Sequence, residues 1–359
     1  MVYYSIILIL TLFSIYLQFN PKKSKIKVLS IFSFLLILAL GGLRYRVGAD
    51  WYSYENLFRS VKNIYDLFSA REEKLFMLFL YCNKIIVNSY SFFVFSLFAV
   101  SFYLKFKVIT KYSPDIFLSL IIYFYTLFLI YDVNGIRQGM AMAIVLFSIS
   151  SILDKKLVLF IVLIITATLF HTSAILFLPF YWLSKINISK KALFIVVGVS
   201  LIISIPIRNI IEHSNIVQSL LALETLSHYS TYLSNETSGR DISIFSVAVF
   251  QRVFIFSLIF IYYDRIQIND DLKRLLFNGY AIAILIFIFL SFSAEFAARL
   301  SFYYKALEIL IVPIIVSTQK KIYNRLALLL IFLLLSLIGT YRILEIPYGG
   351  LIPYNSILW

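Results

Sequence analysis

Apolar runs of membrane-crossing length recur along almost the whole chain. They fall at residues 2 to 19, 28 to 43, 90 to 108, 115 to 132, 136 to 153, 157 to 170, 172 to 185, 192 to 208, 243 to 263, 275 to 292, 301 to 317 and 322 to 341. A helix needs about 20 apolar residues to cross a bilayer, so the pattern predicts an all-α polytopic membrane protein. About 12 crossings are expected, within a range of about 11 to 13. The 359 residues are 61% apolar and 14% charged, which excludes a water-soluble fold. The 26 Tyr and 35 Phe sit inside long Leu and Ile runs, not in strand-length alternating segments, so helices and not a β-barrel satisfy the backbone. The chain reads as one integral domain, 1–359, with external polar loops at 44–73 and 209–241.

Charge placement sets the orientation. The first apolar run is followed, not preceded, by the basic stretch PKKSKIK at residues 21 to 27, the reverse of a cleavable signal; it reads as a retained helix with its N-terminus outside. Residues 74 to 88 are short and interrupted by Asn83 and Lys84. If they do not cross, Lys105, Lys107, Lys111, Lys155, Lys156, Lys185, Lys190, Lys191, Lys273, Arg274, Lys320 and Lys321 all become cytoplasmic, as the positive-inside rule requires. Both termini then lie outside the cytoplasm. The net charge of +14 follows from membrane insertion and does not imply nucleic acid. The single cysteine, Cys82, excludes an intramolecular disulfide and a Cys-based metal cluster.

That parity brings Arg44, Arg46, Asp50, Arg137, His171, Arg240, Asp241, Glu295, Arg299 and the C-terminal tail to the external face. Arg252 lies inside an apolar run, where a lone charge costs about 2.5–3.5 kcal/mol and faces a cavity or a partner. Arg137 opens a helix in NGIRQGMAMAI beside Gly135, Gly139 and Ala141; interfacial snorkelling is the competing account of that arginine. Glu295 and Arg299 are four apart on one helical face, spaced for an ion pair. In RYRVGADWYSY two arginines, a glycine, a carboxylate and an aromatic cluster follow a helix end. Arginine binds diphosphate bidentately, a carboxylate accepts a hydroxyl proton, and aromatic rings stack on sugars. No HxxH, HExxH, GxGxxG or P-loop occurs, so neither a zinc site nor a nucleotide site is expected.

Taken in order, RYRVGADWYSY, NGIRQGMAMAI, FHTSAILFLPF, FAARLSFYY and IPYGGLIPYNSIL resemble the EpsG/Wzy family of polysaccharide polymerases. The resemblance runs from about residue 43 to the C-terminus. It implies a glycosyltransferase of O-antigen, capsule, lipopolysaccharide or exopolysaccharide assembly, multi-pass in the bacterial inner membrane, with its active site on the periplasmic or external face. The implied reaction transfers a growing glycan from undecaprenyl diphosphate onto a lipid-linked repeat unit, with no cofactor or metal. Its partners would be that lipid-linked oligosaccharide, membrane lipid and a chain-length regulator. The motifs carry over Arg44, Gly48, Asp50, Tyr54, Arg137, Gln138, His171 and Arg299, with Arg46 and Tyr354 inside them and the acidic pair Glu72 and Glu73 at the loop end. Arg137, Arg252 and Arg299 are the expected cations for the diphosphate, with Arg44 a fourth. For the base, His171 is favoured over Asp50, because an ordinary imidazole titrates near neutrality. Segment 209–241 is placed as a lid. A lipid-linked oligosaccharide flippase and an O-antigen ligase remain the competing readings.

Overall fold

The computed structural model describes residues 1–213, 246–291, 293–346 and 349–358, without the side chains of 205–213, Glu295 and Phe296. Among the described residues every regular element is helical, and the one extended pairing is a single bridge between Arg44 and Ser356. Eight helices there are long and apolar enough to cross a membrane, or nine if Ala297–Lys305 and Glu308–Ser317 form one span. The chain divides into two compact units where the sequence suggested one domain: Met1–Leu178 with Glu308–Trp359, and Pro179–Leu307.

The first unit contains α1 (Val2–Phe19), α2 (Lys23–Gly42), α3 (Trp51–Ser60), α4 (Asp66–Ser69), α5 (Lys74–Ile86) and α6 (Tyr90–Tyr112). It continues with α7 (Ile116–Tyr123), which runs into a π-helical segment (Phe124–Asn134), then α8 (Ile136–Leu153) and α9 (Leu157–Thr168). The second unit holds α10 (Phe180–Leu183), α11 (Lys190–His213), α12 (Val247–Tyr262), α13 (Asp270–Phe289) and α14 (Ala294–Lys305). Within it α13 is central and packs on α11, α12 and α14. The chain closes in the first unit with α15 (Glu308–Ser317) and α16 (Ile322–Leu344).

Burial shows which helices form the centre of the first unit. Of the apolar window in Ile116–Asn134, 89% is buried inside the protein, and 78% of that in α8, against 33% in α1 and α2 and 28% in α16. The poorly covered helices carry exposed Leu, Ile and Phe side chains, as a lipid-facing surface does. Asp115 starts the central span: its Oδ1 accepts the backbone N–H groups of Phe117 at 3.1 Å and Leu118 at 3.0 Å. This is the N-cap geometry that satisfies orphan donors. Its other oxygen accepts the Ser14 hydroxyl at 2.6 Å, which ties α1 to that cap.

A buried ion pair fixes the far end of the same span. Lys105 Nζ lies 2.5 Å from Asp132 Oδ1, with side-chain exposures of 0% and 1%. Tyr123 donates its hydroxyl to Asp132 Oδ2 at 2.6 Å and Ser101 donates to Oδ1 at 2.9 Å. Lys105 also donates to the Gly139 carbonyl at 3.0 Å, so α6, the π segment and the first turn of α8 share one polar knot. Position 139 has to be glycine, because a Cβ there would sit 2.6 Å from the Tyr131 carbonyl oxygen. The π-helical turn, a feature that recurs at functional sites, lies where Asp132 faces this knot.

Three expectations change against this architecture. The runs at 157 to 170 and 172 to 185 form the 12-residue α9, a short 3-10 turn at Thr172–Phe177 and α10. A 12-residue helix is about 18 Å long, short of a core of about 30 Å. Lys105, counted among the cytoplasmic loop charges, is instead inside α6 and 1% exposed; an intramembrane partner, Asp132, accounts for it. The run at 301 to 317 is split between α14 and α15. Conversely α5, with 13 residues, is too short to cross upright, the condition on which the charge argument rested. Arg240, Asp241 and His228 lie outside the described residues, as does most of the 209–241 segment.

Removing one member of the Lys105–Asp132 pair strands a buried charge. Lys105→Met is expected to lower the unfolding free energy in mild detergent by about 3–5 kcal/mol, and Lys105→Met/Asp132→Leu by distinctly less. Equal losses in the single and double variants would contradict this account of the knot.

Candidate active site

The loop between α2 and α3 is fastened from both sides. Arg44 is buried and gives its guanidinium to backbone carbonyls: Nη1 to Gly41, and Nη2 to Asp132 at 3.2 Å and Val133 at 3.3 Å. The C-terminal strap closes over the loop, with Gly48 N donating to the Gly350 carbonyl at 2.8 Å, Tyr45 N to Asn355 at 3.0 Å and Ile357 N to Leu43 at 2.9 Å. Tyr354 donates its hydroxyl to the Leu40 carbonyl at 2.9 Å. Gly48 has φ of +112°, and a Cβ there would lie 2.8 Å from the Val133 carbonyl oxygen, so glycine is required on both counts. The loop delivers the chain into α3 with Asp50 exposed at its N-cap.

A second joint is made by two helix ends. Leu75 N and Phe76 N, at the start of α5, donate to the Leu169 carbonyl at 3.1 and 3.4 Å, just past the end of α9. Orphan donors of one helix thereby satisfy an orphan acceptor of another. This joint sets Glu73, the N-cap of α5, beside His171, the first residue after α9 and its closing turn.

Glu73 then bridges two functional groups. Its Oε2 lies 2.5 Å from Arg137 Nη1, and its Oε1 lies 3.1 Å from His171 Nδ1 and accepts the Thr172 backbone N–H at 3.2 Å. Arg137, at the start of α8, also donates from Nε to the Tyr54 hydroxyl at 3.2 Å. Its guanidinium lies 5.8 Å from the Tyr54 ring centre and 5.9 Å from that of Phe76. Burial raises the Tyr54 hydroxyl pKa against the opposing charge of Arg137, so the phenol stays protonated. For Glu73, burial pushes upward, but the His171 hydrogen bond and the Arg137 charge outweigh it and hold the carboxyl down at about 2. It is ionised at any physiological pH.

A carboxylate can only accept, so its contact with His171 places the imidazole proton on Nδ1 and the lone pair of the neutral ring on Nε2. Nε2 has no partner among the described residues, and neither does Arg137 Nη2. The cluster therefore offers one base lone pair and one guanidinium edge, both oriented by the same carboxylate. Such an arrangement can take a proton from a hydroxyl and hold an anionic oxygen. Among the described residues no three His, Cys, Asp or Glu side chains converge as a metal site.

The structure thus gathers Glu73, Tyr54, Arg137 and His171, and buries Gln138 next to Arg137 in α8. Arg44, Gly48 and Tyr354 belong to the loop and strap that support them, while Arg46 is exposed over the Tyr45 ring. Glu72 precedes Glu73 at the α5 start. Arg252 and Arg299 belong to the second unit. Arg252 is 3% exposed, donates to the Ala248 carbonyl at 3.0 Å and stacks 3.5 Å from the Phe287 ring centre. Arg299 is half-buried on α14, and the Glu295 side chain lies outside the description. The sequence placed Glu73 at the loop end and did not reveal its bridging position; nor did it reveal the pairing of Asp132 with Lys105, whose signal was an acid and a lysine inside apolar runs.

The fold is that of a polytopic helical membrane protein, and its first unit holds a carboxylate–imidazole–guanidinium cluster. The chain belongs to the EpsG family, whose profile matches residues 27–356. It is 25% identical over 319 residues to the amylovoran biosynthesis protein AmsC of Erwinia amylovora, covering 88% of this chain and 76% of that one. No solved structure matches it.

Glu73→Gln keeps the shape and removes the charge. It is expected to cut chain extension by about 10²–10⁴-fold, the scale of a positioned acid–base group, with the level of inserted protein unchanged. The wild type is also expected to lose stability as pH falls from the ordinary carboxylate range toward 2, where the unfolded chain binds the Glu73 proton before the folded one does. Acid titration of the melting temperature checks this: a loss of the same size in Glu73→Gln would contradict it.

Proposed function

We propose that the protein polymerises a polysaccharide at the external face of the bacterial cytoplasmic membrane. It transfers the growing glycan from undecaprenyl diphosphate onto a hydroxyl of the next lipid-linked repeat unit. The observation that carries this reading is Glu73 holding His171 and Arg137 at once. His171 Nε2 takes the proton of the acceptor hydroxyl while its oxygen attacks the anomeric carbon. The bond from that carbon to the donor diphosphate breaks, and undecaprenyl diphosphate leaves with the electron pair. Arg137 neutralises the charge that grows on the departing oxygens, a role suited to a planar, permanently charged fork. Glu73 stabilises the imidazolium as it forms, as the carboxylate of a catalytic triad does.

Both termini external and Asp50 as an auxiliary acceptor belong to the same proposal, with Arg252 and Arg299 of the second unit as candidate cations in their own right. A chain-length regulator would be its partner. AmsC, by its name a protein of amylovoran biosynthesis, supports an exopolysaccharide as the product. A flippase would use arginines for the same diphosphate but has no need of a base fixed in one tautomer by a carboxylate.

Purified protein in detergent is to be incubated with a synthetic polyprenyl-diphosphate repeat unit and EDTA, without nucleotide, and the products resolved by size. A ladder of lengthening lipid-linked glycans is expected. Unchanged substrate, with the lipid proven intact, would overturn the polymerase in favour of the flippase.

A further inference from the structure

A cleft of about 400 Å³ lies on another flank of α3, within the range of about 300–1,000 Å³ typical of small-molecule sites. Its lining includes the aromatic residues Tyr45, Trp51 and Tyr90 and the polar Glu55, Arg59 and Asn88; Tyr45 is exposed, Trp51 and Tyr90 are buried. Trp51 packs edge-on against Tyr45 at 6.0 Å and Tyr90 at 4.8 Å, so the exposed Tyr45 ring is backed by buried ones. Residues 51, 55 and 59 repeat at helical spacing, whereas Tyr54 leaves α3 from the adjoining flank to reach Arg137. One helix therefore serves both the cleft and the Glu73 cluster.

The charges at the cleft are largely spent. Glu55 and Arg59 pair at 2.6 Å, and Lys84 gives its ammonium to the carbonyls of Phe58 at 2.6 Å, Arg59 at 3.3 Å and Val61 at 2.5 Å, at the end of α3. What the cleft offers a ligand is the exposed Tyr45 ring, a carboxylate edge, guanidinium donors and the Asn88 amide, with little net charge. A pyranose fits this chemistry: its C–H face packs on the Tyr45 ring, and its hydroxyls meet the polar side chains. A diphosphate does not, because the site has no uncommitted cation pair.

We infer that this cleft is a glycan subsite of the polymerase, holding a pyranose of the lipid-linked chain at a distance from the bond being made. The inference rests on the polymerase reading. It assigns Tyr45 and Asn88 to substrate binding, not to the chemical step. It also separates two kinds of recognition on the two flanks of α3: charge at Arg137 and ring faces at the cleft.

The test is calorimetric titration of the full-length protein with the lipid-free repeat-unit oligosaccharide, cut from the host cell's own polysaccharide. Saturable binding is expected in the wild type and undiminished in Glu73→Gln. It is expected to weaken roughly two- to tenfold in Tyr45→Ala, the worth of one aromatic contact, and to weaken in Asn88→Ala. Both residues are exposed, so the variants should fold. Affinity should change little with added salt, unlike that of a charge-driven site. No binding by the wild type, wild-type affinity in both variants, or a steep salt dependence would each overturn the subsite. None of these touches the polymerase reading, which stands or falls on the product ladder.

Discussion

The ion pair between Lys105 and Asp132 is the interaction from which the rest of the first unit follows. Two charges in an apolar interior persist only when their remaining hydrogen-bonding capacity is filled, and here Tyr123, Ser101 and the Gly139 carbonyl fill it. The consequence is geometric. The carbonyls of Asp132 and Val133 are held where Arg44 can reach them, and Gly48 closes against the same turn. Since α8 begins only two residues after Asn134, the position of Arg137 is inherited from this knot.

Glu73 completes what the knot begins. It belongs to a different part of the unit and meets Arg137 because the start of α5 is docked on the Leu169 carbonyl. Its negative charge is met by one permanent cation, Arg137, and by the hydrogen bond to His171 Nδ1. A neutral imidazole with its proton fixed on Nδ1 is the form that can act as a base. The electrostatics of structure and of chemistry are in this way the same interactions, which is why a small carboxylate at a loop end matters more than the more numerous arginines around it.

Much of the helical frame was legible in the sequence because a bilayer leaves few choices. The run 2 to 19 reappears as Val2–Phe19 and the run 136 to 153 as Ile136–Leu153, since apolar length alone decides them. The pair around His171 was less legible: composition does not reveal that the chain breaks at Leu169 and folds into a 3-10 turn. Among site residues, Arg137, His171 and Tyr54 stood out by motif and do converge. Arg44 stood out equally, yet its guanidinium serves backbone carbonyls, a distinction that depends on tertiary contacts no local pattern encodes. Lys105 misled for a related reason, because a lysine near a helix end looks like a loop charge until its partner is known.

The central claim is that Glu73 fixes His171 as a base with its lone pair at Nε2. It is tested most directly by nitrogen NMR of histidine-labelled protein, in which only three histidines contribute and single-site variants assign them. At mildly alkaline pH the account predicts a His171 ring protonated on Nδ1 alone, and a shift of that population in Glu73→Gln. A proton on Nε2 in the wild type, or a tautomer indifferent to Glu73, would contradict it.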